Sequence, residues 1–115
     1  MRKLLILSAL LMANTIYAQQ QYTFVFLNKK PDAAQITKEE STKIMEGHMA
    51  NINRLAKEGK LLAAGPFEGG GGLFVLNTQN VNEASDWLST DPGVQAKRWN
   101  INYFHTRHVL EAFVQ

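Results

Sequence analysis

The chain has 115 residues, twelve Lys and Arg against ten Asp and Glu, and no cysteine. That is room for one small domain, with neither a disulfide framework nor a cysteine nucleophile. Arg2 and Lys3 carry the whole excess of positive charge, and residues 19–115 hold ten basic and ten acidic side chains, so the basic stripe that nucleic acid requires is missing.

Arg2-Lys3, the ten-residue apolar run from Leu4 to Ala13, and Ile16-Tyr17-Ala18 before Gln19-Gln20-Gln21 read as a secretory signal peptide over residues 1–18. The run falls short of the roughly 20 residues of a membrane span, and no second long apolar run follows it. Without cysteine a lipid-modified N-terminus is excluded. The expectation is a bacterial protein exported by the Sec route to the periplasm or beyond, cleaved to a single domain at 19–115 with no membrane attachment.

Tyr22 to Leu27 is a strand by composition and apolar on both faces, with Tyr22, Phe24 and Phe26 on one and Val25 and Leu27 on the other, so both faces need cover. Asn28 to Asp32 is a loop, and Thr37-Lys38-Glu39-Glu40 carries the Thr-x-x-Glu capping box, which predicts a helix from about Lys38 to Glu58. On 100° steps Ile44, Met45, Met49, Ile52, Leu55 and Ala56 share one sector, and His48 falls among them. Gly59 stops the helix. Leu61 to Ala64 is a second strand closed by Gly65-Pro66. Four glycines, 69 to 72, lead into a third strand, Leu73 to Leu76. Val81 to Leu88 reads as a shorter helix that buries Val81, Ala84, Trp87 and Leu88. A final segment from about Asn100 to Phe113 is rich in strand formers.

The order βαββαβ predicts an α+β, ferredoxin-like fold: an antiparallel four-stranded sheet with two helices on one face. The other face is left bare although its strands are apolar there. A second copy packed sheet to sheet, as a dimeric α/β barrel, is the simplest cover.

His48, Gly59-Lys60-Leu61, Gly65-Pro66, the glycine loop into Gly72-Leu73-Phe74, Ala84 and Asp91-Pro92 together resemble the YCII-related family over Tyr22 to Phe104. The resemblance implies a homodimeric α/β barrel, similar in fold to muconolactone isomerase and chloromuconolactone dehalogenase. It also implies a suspected catalytic pair, His48 with Asp91. Two positions depart from the family pattern: Gly93 stands where a bulky residue often follows Asp-Pro, and the closing strand reads Asn102-Tyr103-Phe104-His105, so the pocket's shape is expected to differ from the family's.

Histidine exchanges protons near neutral pH, and an adjacent carboxylate orients it and favours the imidazolium. The competing reading of His48 is a core histidine satisfied by backbone or by a neighbour of the Asn51 type, and Gly47 beside it hints at a close approach to the helix. Asp91 before Pro92 also has a structural task, since Asp at N-cap with Pro at N1 starts a helix, continued here through Gln95-Ala96-Lys97.

The glycines at 69–72 lack the Lys-Ser/Thr of a phosphate loop and enter a strand, so they read as a hairpin connection. His105 and His108, three apart in a strand, point to opposite faces; a metal site would need His48 or Asp91 as well, and none is expected. No serine sits in a Gly-x-Ser-x-Gly turn, and no cofactor motif is present. The expectation is an enzyme that moves protons on a small organic molecule, of isomerase, lyase or dehalogenase type. The alternative is a non-catalytic small-molecule-binding or structural dimer.

Overall fold

The computed structural model describes residues 21–106. The signal peptide read over 1–18, His108 and the final segment beyond residue 106 lie outside them. Strand β1 spans Thr23–Lys29, helix α1 Lys38–Lys57, β2 Leu61–Pro66, β3 Gly72–Leu76, α2 Val81–Leu88, α3 Pro92–Gln95 and β4 Trp99–His105. The sheet runs β2-β3-β1-β4 with all neighbours antiparallel. This is the ferredoxin-like α+β arrangement expected from the element order.

Helix α1 starts where its capping box says. The Thr37 hydroxyl accepts from the Glu40 N–H at 3.1 Å, and the Glu40 carboxylate accepts from the Thr37 N–H at 2.8 Å. It stops in a paired-bond cap: Gly59, at φ +72°, donates to the Ala56 carbonyl, and Lys60 donates to that of Leu55. Helix α3 ends in the same way, with Lys97 donating to Val94 and Arg98 to Gly93. There the left-handed residue is Lys97, at φ +54°, a conformation costing a side-chain-bearing residue about 1 kcal/mol.

The sheet's two faces separate cleanly. Thr23, Val25 and Leu27 of β1 and Phe74 and Leu76 of β3 are buried beneath the helices, and Val25 lies between Phe74 and Tyr103 in register. Leu55 of α1 and Ala84 and Leu88 of α2 complete that core. The opposite face carries Phe24 and Phe26 of β1 and Leu73 and Val75 of β3, all half-buried, and Phe104 of β4, 57% exposed. Phe26 stacks on Phe67 with centroids 6.2 Å apart and meets Phe104 edge-on at 5.6 Å. A register shift between Leu61 and Ala63 turns Leu62 outward.

The apolar sector on α1 is narrower than its spacing predicts. His48, Asn51 and Leu55 are buried and Ile44 and Ile52 partly so, while Met45 and Met49 are about half exposed and Ala56 faces out. The helix is rolled so that a polar residue, Asn51, takes the place at the seam that pattern alone gives to methionine.

Candidate active site

Asp91 sits in the turn between α2 and α3 with no solvent exposure, and both of its carboxylate oxygens are used. Oδ1 caps α3, accepting from the Gly93 N–H at 2.7 Å and the Val94 N–H at 3.4 Å. Oδ2 lies 2.6 Å from Nδ1 of His48. An ionised carboxylate has only acceptors to offer, at both oxygens. The Nδ1 proton is therefore donated to Asp91, and the neutral ring carries its lone pair on Nε2. Among the described residues Nε2 has no hydrogen-bond partner.

Two devices bring the pair together. Gly47, next to His48, is the point at which α3 approaches α1: a β-carbon there would stand 2.7 Å from Cγ of Pro92. Farther along the helix, Asn51 Oδ1 accepts from Arg54 at 2.8 Å and lies 3.1 Å from the Thr90 hydroxyl, whose one proton it shares with the Trp87 carbonyl at 2.7 Å, and Arg54 also donates to the Thr90 oxygen at 2.9 Å. Thr90 precedes Asp91, so this network pins the turn. Arg54 is itself held by Glu58, whose carboxyl lies below the usual carboxylate range through hydrogen bonds from Lys60 and from Arg54. Among the described residues Asn51 Nδ2 is buried without a partner.

A cavity of about 530 Å³ opens between α1 and the sheet, inside the range of small-molecule sites. His48 lines it with Met45, Met49, Phe67, Phe74 and Trp99, and the backbone of Gly70, Gly71 and Gly72 forms part of its wall. The His48 ring lies 5.9 Å from that of Phe74 and 5.0 Å from that of Trp99. The glycines serve approach as well as turning: Gly71 has φ +79°, and a β-carbon on it would collide with the Leu27 carbonyl.

The structure thus brings His48 and Asp91 together, and Asp91 is also the N-cap of a short helix. His105 is exposed at the far end of β4. Among the described residues no group of three His, Asp or Glu is placed to hold a metal. Composition and spacing do not say which face of β4 Trp99 takes. The indole belongs to the helix side and lines the cavity, and the signal that could have found it is Gly93: a β-carbon there would collide with the indole edge. Asn51 was also missed as a positioning residue, because its partner Thr90 is 39 residues away.

The family described as YCII-related domain matches residues 22–111. No curated protein sequence matches the chain. Among solved structures the fold is similar to that of 5-chloro-2-hydroxyhydroquinone dehydrochlorinase from Burkholderia phenoliruptrix, in complex with 2,5-dihydroxybenzoquinone. The identity is 14% and the TM-score 0.56, over 75% of this chain and 91% of that one. At that identity the likeness speaks for the fold.

The Gly47–Pro92 contact makes a prediction of unusual sign. Alanine in place of a mid-helix glycine ordinarily stabilises by about 1 kcal/mol. Here the added carbon must push α3 away, at a cost of about 1–3 kcal/mol, so Gly47→Ala lowers the urea midpoint. A raised midpoint would show that Pro92 does not rest on the helix.

Proposed function

The chain belongs to the YCII-related domain family, and on that premise we propose that the cavity is the active site of a small-molecule enzyme in which His48 and Asp91 act as one acid–base unit. The observation that carries this reading is the 2.6 Å bond from His48 Nδ1 to a fully buried carboxylate, with Nε2 left over in a side chain that lines an apolar cavity. Nε2 takes a proton from the substrate, Asp91 stabilises the imidazolium so formed, and the same nitrogen returns the proton to a neighbouring atom or a leaving group. Isomerase, lyase and dehalogenase chemistry share that step. The chemistry named for the dehydrochlorinase of similar fold belongs to this class and supports it by analogy.

The bare sheet face supports a homodimer. Phe24, Phe26, Leu73, Val75 and Phe104 make a contiguous apolar surface, of the kind that marks an interface, and a second copy laid on it sheet to sheet closes the α/β barrel. Export rests on the leader at residues 1–18, with cleavage after Ala18.

Four outcomes follow from these readings. In a thermal-shift screen of small organic metabolites, a ligand that stabilises the protein loses its effect on His48→Ala; equal stabilisation of both proteins counts against a site centred on His48. For a substrate so found, Asp91→Asn keeps the helix cap yet lowers kcat by a factor on the order of 10²–10⁴; binding retained with no turnover by wild type favours the non-catalytic alternative. In sedimentation equilibrium the wild type has twice the chain mass and Phe104→Asp has the mass of one chain, and a wild-type monomer sinks the dimer. Expressed with its leader in a bacterium, the protein is recovered from the periplasm beginning at Gln19, and an intact N-terminus refutes export by this route.

A further inference from the structure

We infer a second binding site, apart from the cavity of His48: the cleft under the loop between β1 and α1 takes the phosphate group of a small phosphorylated molecule. The two hollows share no lining residue, so this site stands or falls independently of the acid–base reading.

The first observation is charge. The cleft has a volume of about 560 Å³, within the range of small-molecule sites. Lys29 and Lys30 at the end of β1, Lys38 at the start of α1 and Arg98 just before β4 line it, and no carboxylate does. These are four of the ten cationic side chains in residues 19–115. Among the described residues none of the four is in an ion pair, whereas Arg54 and Lys60 share Glu58. The acidic side chains of the first turn of α1 are placed elsewhere: Glu40 is turned onto the Thr37 N–H at 2.8 Å, and Glu39 lies with Glu46 on another flank of the helix. A chain of balanced charge that gathers unpaired cations in one hollow focuses a positive potential there and draws an anion to it.

The second is construction. Lys30 and Arg98 are both half-buried, and they stand side by side where the β1–β4 ladder runs out, the Lys30 N–H donating to the Arg98 carbonyl at 3.1 Å. Like charges set opposite each other across a ladder destabilise it, and an anion shared between them removes that cost. Arg98 is held at both ends. Its backbone N–H donates to the Gly93 carbonyl at 3.2 Å, and Nη1 donates to the Ala34 carbonyl at 2.6 Å. The second bond ties the loop over the strand end and leaves the rest of the guanidinium fork without a partner among the described residues.

The third is the character of the donors. The Ser41 hydroxyl and the Gln35 amide also line the cleft, and neither has a partner among the described residues. With the three ammonium groups and Arg98 they make a wall of unused donors. A phosphate dianion offers oxygens that only accept, and the arginine fork matches its geometry. The volume exceeds what a bare phosphate needs, and Pro31, Ala33 and Ile36 give the organic part of the ligand an apolar floor.

The probes are inorganic phosphate and glycerol 3-phosphate, titrated into nitrogen-15-labelled protein at low ionic strength, with sodium chloride at matched ionic strength as the control. Expected is saturable movement of the Lys30, Gln35 and Arg98 amide signals, with Kd about 1 mM or lower and glycerol 3-phosphate binding at least as tightly as phosphate. Arg98→Gln weakens binding by about tenfold. Lys57→Gln, at the far end of α1, and His48→Gln leave it unchanged. Where Arg98→Gln fails to fold, the double variant Lys29→Gln/Lys38→Gln, at two exposed positions, carries the same expectation. Equal movement with sodium chloride, or no saturation at tens of millimolar of either probe, overturns the site. Weakening by Lys57→Gln as large as by Arg98→Gln reduces it to diffuse charge and overturns it too, and loss of binding in His48→Gln moves the anion to the cavity. Pelleting with phosphatidylglycerol vesicles without saturation by either soluble probe assigns the cleft to a lipid surface and overturns the small-molecule class.

Discussion

The carboxylate of Asp91 is the constraint on which the site's construction depends. A charge with no exposure is tolerable in a protein interior only when its lone pairs are met, and here one oxygen is met by two backbone N–H groups of α3 and the other by the His48 ring. The three partners come from two elements far apart in sequence, so satisfying this single group fixes the start of α3, the docking of α3 on α1 and the tautomer of the histidine together. The glycines on either side of the contact follow from it: Gly47 lets Pro92 come down on the helix, and Gly93 clears the ground for Trp99. At both positions a β-carbon would push apart the elements that carry the donors and the acceptor.

Much of the frame is written locally. Thr37 and Glu40 state where α1 begins and Gly59 where it ends, because caps are settled by residues three or four apart. The double-faced strands β1 and β3 call for cover on both sides of the sheet. The roll of α1 about its own axis is not written locally. Spacing puts Met45 and Met49 in the apolar sector, but which part of a broad sector meets the sheet is decided by what the sheet and the α2–α3 turn offer in return. Asn51 is drawn inward because Thr90 is there to use its carbonyl oxygen, and the two methionines are left at the cavity's edge. Gly93 is the same lesson in reverse. Read alone it is a departure from its family's pattern, and it acquires a meaning only when β4 returns Trp99 to the same place.

The cavity has a consequence for the rest of the domain. Space between α1 and the sheet is space the core does not fill, and among the described residues the buried apolar side chains of the core are Val25, Leu27, Leu55, Leu61, Phe74, Leu76, Ala84 and Leu88. For a domain of this size that is a thin core, since small domains bury the lesser fraction of their surface. A sheet with a hollow on one face and half-buried or exposed phenylalanines on the other has a physical reason to recruit cover for the second. This is independent of family likeness, and it supports the proposed dimer from the monomer's own shortage of burial.

Phe67 ties the two faces to each other. It stacks on Phe26, which belongs to the bare face, and it also lines the cavity on the helix side; it stands just past the end of β2, where the glycine loop turns the chain into β3. The loop's left-handed residues, Gly69, Gly70 and Gly71, leave the backbone without side chains to brace it, so the ring of Phe67 depends on Phe26 for its position. Whatever holds Phe26 in place therefore also holds one aromatic wall of the cavity. Burial of the sheet face and definition of the site are, through this one ring, the same packing problem.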